Sequence, residues 1–177
     1  ISAEGINTLG REDGLPSPFI MALYQSVDGR VFIGSGAGVA ILENDKLTPL
    51  NLTQFDDTNY AFGFTEDLSA GLLWMATDRG LLAYDLQSGQ ITMIGRDQGM
   101  PFDKLFQLVI DKQGYFWVSS NRGVLRISRS QALDVLAGTR SRVDIELFGE
   151  SDRVSFVFGL GAALLVFAIV KASTPPE

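Results

Sequence analysis

Short runs in which apolar and polar residues alternate fill the first part of the chain, at Ile20 to Gln25, Val31 to Gly34, Val39 to Glu43 and Leu47 to Leu52. Each run is too short for a stable helix, carries a period of two and is bounded by turn residues, so the pattern predicts four strands. Asp28-Gly29 marks a tight hairpin because glycine tolerates positive φ, and Ser88-Gly89 marks a similar turn later. The unit reads as an antiparallel meander.

The same pattern then returns. Gly71-Leu72-Leu73-Trp74-Met75-Ala76 leads to Gly80-Leu81-Leu82-Ala83-Tyr84, and Gly114-Tyr115-Phe116-Trp117-Val118-Ser119 leads to Gly123-Val124-Leu125-Arg126-Ile127. The aromatic residues Phe32, Trp74 and Trp117 stand 42 and 43 residues apart, and Gly38, Gly80 and Gly123 keep the same two intervals. Two independent markers thus share one period, which is the signature of a repeat architecture. A lone four-stranded meander cannot bury both of its faces, whereas stacked copies can, and units of this length match propeller blades. The expected fold is therefore all-β, a partial β-propeller of about three four-stranded antiparallel blades, with a C-terminal apolar helix. Blades are expected over 9–55, 56–95 and 96–128, with the aromatic residues of the second strands filling the space between them.

Beyond the blades the pattern changes. Ser128 or Ser130 can cap a short helix over Gln131 to Leu136 that ends at Gly138, and Arg142 to Phe148 alternates like one strand. Residues 129–150 thus read as a helix-and-strand linker. From Val154 to Val170 follow 17 residues without a charge, flanked by Arg153 and Lys171. As a helix this run reaches about 25 Å, the lower edge of what spans a bilayer. A membrane anchor within 151–177, a buried core segment and a disrupted reading frame all fit it. The balanced flanking charges do not orient it.

Composition narrows the chemistry. A net charge of −7 with scattered Lys and Arg opposes nucleic acid as a partner. Neither Cys nor His occurs, which removes disulfides, thiolate chemistry, the commonest general base and the commonest transition-metal ligand. No cofactor or metal is expected.

The turn Asp13-Gly14-Leu15-Pro16-Ser17, the strand Asp28-Gly29-Arg30-Val31-Phe32-Ile33-Gly34 and Gly38-Val39 together resemble the two-component regulator propeller repeat. The pattern recurs at Gly99-Met100-Pro101, Gly114 to Val118 and Arg122-Gly123-Val124, while the middle copy carries Asp56-Asp57-Thr58-Asn59-Tyr60 in place of the first turn. The resemblance runs from Leu9 to Ile127. It implies the periplasmic sensor region of a bacterial receptor at the inner membrane, with many further blades, an immunoglobulin-like domain opened by the strand near Phe148, and a histidine kinase or GGDEF diguanylate cyclase as output. No phosphorylatable His and no Gly-Gly-Asp/Glu-Glu-Phe motif are present, so this stretch is not expected to be an enzyme.

In an up-and-down meander, the loops joining strands two and three lie at the same blade end as the loops joining successive blades. That rim is expected to carry Asp13, Tyr60, Arg79, Asp97, Asn121 and Arg122 as candidate contacts for a small-molecule or glycan ligand. Asp and Arg before Gly are also ordinary turn residues. Gly34-Ser35-Gly36-Ala37-Gly38 joins two strands and so lacks the helix N-terminus of a phosphate loop. The adjacent acids Glu12/Asp13, Asp56/Asp57 and Glu66/Asp67 point to opposite faces of a strand and cannot converge on one bond. A protein-interaction scaffold or a lyase-type propeller enzyme is the alternative function, because fold does not fix function.

Overall fold

The computed structural model describes residues 8–55, 57–101 and 104–149. The apolar run 154–170, the expected membrane helix, lies outside them. Among the described residues no helix is long and apolar enough to cross a membrane.

Three separate four-stranded antiparallel sheets follow one another along the chain. The first comprises β1 (Ile20–Gln25), β2 (Val31–Ser35), β3 (Gly38–Glu43) and β4 (Lys46–Leu50). The second comprises β5 (Ala61–Asp67), β6 (Leu72–Thr77), β7 (Leu81–Asp85) and β8 (Ile91–Ile94). The third comprises β9 (Leu105–Ile110), β10 (Tyr115–Ser120), β11 (Gly123–Ser128) and, after α1 (Arg129–Leu136), β12 (Ile145–Phe148). Spatial order equals chain order in every sheet, so each is a meander blade.

Local chemistry accounts for the hairpins. Asp28 Oδ1 accepts the N–H of Arg30 while Gly29 takes φ +91°, which closes β1 onto β2. Asn44 and Asp45 both adopt positive φ and turn β3 into β4 over two residues, the geometry that matches strand twist. Registers repeat as well: Phe32 lies opposite Tyr24 and Ile41, Trp74 opposite Thr65 and Ala83, and Trp117 opposite Val109 and Arg126.

Stacking the blades makes the core. Phe32, Val39 and Ile41 on the rear of blade 1 meet Phe64, Leu73, Met75, Leu82 and Tyr84 on the front of blade 2. Trp74, Ala76, Leu81 and Ala83 on the rear of blade 2 meet Leu108, Phe116, Val118, Leu125 and Ile127 on the front of blade 3. Phe32 and Trp74 are both fully buried, as inter-blade filling requires. The Trp74 ring lies 4.8 Å from that of Phe116. Neighbouring blades approach most closely through their first strands, β1 against β5 and β5 against β9. Those strands form the hub and the later strands fan outward.

One boundary differs from the sequence expectation. The strand near Phe148 does not open another domain: β12 hydrogen-bonds to β11, with Ile127 opposite Ile145 and Val124 opposite Phe148. Blade 3 therefore extends past residue 128 and takes its fourth strand from beyond a helix. Ser128 caps that helix by accepting the N–H of Gln131, and Ala132, buried, seats it on the core between blades 2 and 3. The helix and the strand were both legible, but not the strand's return to blade 3, because a meander hairpin needs two to five residues, whereas here the connection runs from Arg129 to Asp144.

Candidate functional site

Each connection between a blade's second and third strands is built by one device. Ser35, Thr77 and Ser120 donate their hydroxyl hydrogens to the carbonyls of Gly38, Gly80 and Gly123, at 2.9, 2.7 and 2.9 Å. The same oxygens accept the N–H of Ala37, Arg79 and Arg122, at 3.2, 3.1 and 3.2 Å. One hydroxyl thus satisfies a donor and an acceptor inside a four-residue turn. The closing glycine takes φ +111°, +143° or +144°, which a side chain would strain. A hydroxyl residue three before each marker glycine is a signal present in the sequence, and periodicity of apolar residues passes over it.

The turns of blades 1 and 2 are stitched to the start of their own blade. Gly36 N–H donates to the carbonyl of Phe19, and Asp78 N–H donates to that of Tyr60. Asp78, buried, also accepts the N–H groups of Asn59 and Tyr60 on Oδ1, at 3.1 and 2.9 Å. Tyr60 is thereby held at the entrance to β5, 39% exposed, with Arg79 beside it in the chain segment that Asp78 anchors. The Asp78 carboxylate is a positioning group that sequence reading did not single out.

The rim candidates separate into two groups. Tyr60, Arg79, Asn121 and Arg122 lie at or against the turns between second and third strands. Asp13 and Asp97 lie farther out. Asp13 closes the 3-10 turn Arg11–Asp13 by accepting Gly10 N–H at 2.8 Å, and the next residue, Gly14, lies against Leu47 of β4. Asp97 sits in the turn before Gly99, which packs against Val143 just ahead of β12. Both of these acids flank fourth strands rather than the hub.

Two further aromatic residues join the inner group. The first strand of every blade carries a register shift at its second residue, at Met21, Phe62 and Phe106. A bulge re-aims the side chain it carries. Tyr60 stacks on Phe62 with ring centroids 5.7 Å apart, and Phe62 meets Phe106 of the next blade edge-on at 5.4 Å. The result is an aromatic row crossing from blade 2 to blade 3 beside the rim. Strict alternation hid it, because a bulge adds one residue and exchanges inside for outside. Among the described residues no cluster of three or more acids could hold a metal ion.

The architecture is that of a propeller segment, and comparison with solved structures agrees. The chain is similar to the extracellular domain of BT3049 of B. thetaiotaomicron, described as a hybrid two-component system, with TM-score 0.63 and 17% identity over 85% of this chain and 21% of that one. It is similar to the extracellular domain of BT4673 of the same organism, described as a one-component system, with TM-score 0.62 and 17% identity over 84% of this chain and 19% of that one. A second structure of BT4673, described as a hybrid two-component system, matches with TM-score 0.54 and 20% identity over 66% of this chain and 16% of that one. The chain thus spans about a fifth of the length of these structures. No family model and no curated protein matches it.

Proposed function

We propose that this chain is part of the extracytoplasmic sensor region of a bacterial signal-transduction receptor, and that the inner rim is where it meets its ligand. The observation that carries the reading is the three-blade meander shared with receptor ectodomains, at a TM-score of 0.62 to 0.63. The reading is non-enzymatic: ligand occupancy shifts a receptor between states only through differential affinity for them. Tyr60 and Arg79 supply a half-open ring and a cation, with Phe62, Phe106, Asn121 and Arg122 around them. Such a surface suits a small molecule or glycan with a flat face and a polar edge.

A thermal-shift screen of the chain against amino acids and neutral and acidic oligosaccharides tests this. A binding compound is expected to raise the melting temperature of the parent chain but not of Tyr60→Ala or Arg79→Ala, both of which should melt normally without it. Equal stabilisation of parent and variants would place the ligand elsewhere.

A further inference from the structure

The turn between strands two and three of blade 1 differs from its counterparts at its tip. After the hydroxyl residue stand Gly36-Ala37 in blade 1, Asp78-Arg79 in blade 2 and Asn121-Arg122 in blade 3. The backbone does not demand a glycine at 36. Gly36 takes no positive φ, unlike Gly38, and a Cβ built on it would meet its neighbours at 3.4 Å or more, an ordinary contact. In blade 2 the Asp78 carboxylate pins the blade entrance by accepting from Asn59 and Tyr60. Blade 1 has a substitute for it: Ser17 Oγ accepts the N–H of Phe19 at 3.1 Å, while Gly36 N–H donates to the Phe19 carbonyl at 3.0 Å. What the glycine changes is therefore the space above it.

That space has two aromatic walls. Phe19 Cδ1 and Tyr60 Cε1 lie 3.4 and 3.5 Å from the Cβ position of Gly36, one from the entrance of blade 1 and the other from the entrance of blade 2. The cleft thus belongs to the joint between blades 1 and 2, which these blades complete between themselves. The Tyr60 wall is braced, because its ring stacks on Phe62 and Phe62 meets Phe106 edge-on. Ser17 Oγ follows at 3.7 Å and is already engaged by Phe19 N–H. Arg79 stands one residue past Asp78, whose N–H donates to the Tyr60 carbonyl. Its side chain is 43% exposed and reaches Asp78 Oδ2 at 4.0 Å, the outer limit of an ion pair, so its charge is presented to solvent beside the cleft.

We propose that this cleft takes a planar aromatic ring bearing a carboxylate, with the ring over Gly36 between Phe19 and Tyr60 and the carboxylate on Arg79. The proposal rests on the rim being the ligand surface. An aromatic guest meets both walls through offset or edge-on ring contacts, which a saturated ring of the same size does not make. The guanidinium fork matches a carboxylate in charge and in shape. A sugar fits the cleft less well, because its hydroxyls would lose water against Gly36 and two arenes that return few hydrogen bonds.

Saturation-transfer NMR on the 177-residue chain in mild detergent tests this, with phenylacetate as the probe and phenylacetamide, cyclohexylacetate and maltotriose as comparisons. Phenylacetate is expected to bind about tenfold more tightly than each of the others. Gly36→Asn gives blade 1 the residue that blade 3 carries at this place; it should melt with the parent and lose the phenylacetate signal, because its side chain fills the cleft. Phe19→Ala, which removes one wall, should weaken binding about tenfold. Arg79→Ala should erase the preference for phenylacetate over phenylacetamide. No phenylacetate signal, equal binding of any comparison compound, or a signal that survives Gly36→Asn overturns the proposal, as does a preference over phenylacetamide that survives Arg79→Ala. A compound from the wider screen that requires Tyr60 and Arg79 but tolerates Gly36→Asn would sink the cleft and leave the rim reading standing.

Discussion

Trp74 and Trp117 hold the same place in successive blades, yet their surroundings differ. Trp74 is sealed between two sheets, and its Nε1–H finds no acceptor among the described residues. Trp117 lies on the outer face with 6% of its surface exposed, and its Nε1–H donates to Asp111 Oδ2 at 2.7 Å. Both of these blades have an acid at the start of the turn ahead of the tryptophan, Asp67 in blade 2 and Asp111 in blade 3, where blade 1 has Ser26. Arg129 explains the difference. From the start of α1 in blade 3 it reaches back to Asp67, donating from Nε to Oδ2 at 2.6 Å and from Nη2 to Oδ1 at 2.9 Å, with Ser69 Oγ also accepting at 2.6 Å. In blade 2 the equivalent acid is engaged by an arginine from the following blade, and the indole has no partner among the described residues. A repeat can therefore reproduce its apolar wedge faithfully while its polar contacts are reassigned by whatever packs next.

The largest effect expected from breaking this comparison is Trp74→Ala, at about 3–5 kcal/mol of lost stability, because a fully enclosed indole leaves a cavity. Trp117→Ala should cost less, since no blade among the described residues packs on its face. Urea denaturation of both variants measures the pair, and equal losses would mean that the two sites are packed alike.

Arg129→Ala ranks next, at roughly 1.5–3 kcal/mol, because it strips a buried carboxylate of its charged partner. Burial acts to raise the Asp67 pKa, but the Arg129 fork, the Ser69 hydroxyl and the Ala70 N–H together hold it below the usual carboxylate range. A depressed folded-state pKa contributes stability that is full above the unfolded value and is lost as pH falls through the folded one. The parent chain should therefore lose stability on acidification below the ordinary aspartate range. That loss should be blunted in Arg129→Ala when melting temperature is followed against pH, and an unchanged acid limb would remove Asp67 from the account.

The smallest effect tests the other joint. Blades 1 and 2 lack the Arg129–Asp67 pair; Arg30, paired with Asp28, crosses to Tyr84 Oη and the Leu86 carbonyl at 3.3 and 2.7 Å, and Glu66 accepts from Tyr24 Oη, Ser26 Oγ and Val27 N–H at 3.2, 3.0 and 3.1 Å. These contacts are only partly buried, so Glu66→Ala should cost roughly 1 kcal/mol. Hydrogen exchange would place that loss in blade 1, because blade 3 does not share the contact.

Much of the blade structure was readable in the chain. β1 falls on the run predicted from alternation, β2 and β3 each differ from prediction by one residue, and β4 ends two residues earlier than Leu52. Local periodicity and turn chemistry suffice for such elements because both are written within a few residues. The candidate site was legible only in part. Tyr60 and Arg79 were found from loop position, but Phe62 and Phe106 were missed because the bulges that re-aim them are decided by the ladder, not by residue type. Asp78 was missed because its partners, the N–H groups of Asn59 and Tyr60, lie 19 and 18 residues away.

By itself the sequence determined the repeat, the strands within it and which residues are apolar enough to fill the joints, because a period of two nested in a period near 42 admits few other arrangements. Only the tertiary structure decided that β12 returns across α1 to finish blade 3, that Arg129 pairs with Asp67 across the joint, and that Leu23 stands exposed where its counterparts are buried. Those outcomes turn on contacts between segments tens of residues apart, and a side chain's partner at that range is set by which sheet happens to stack against it.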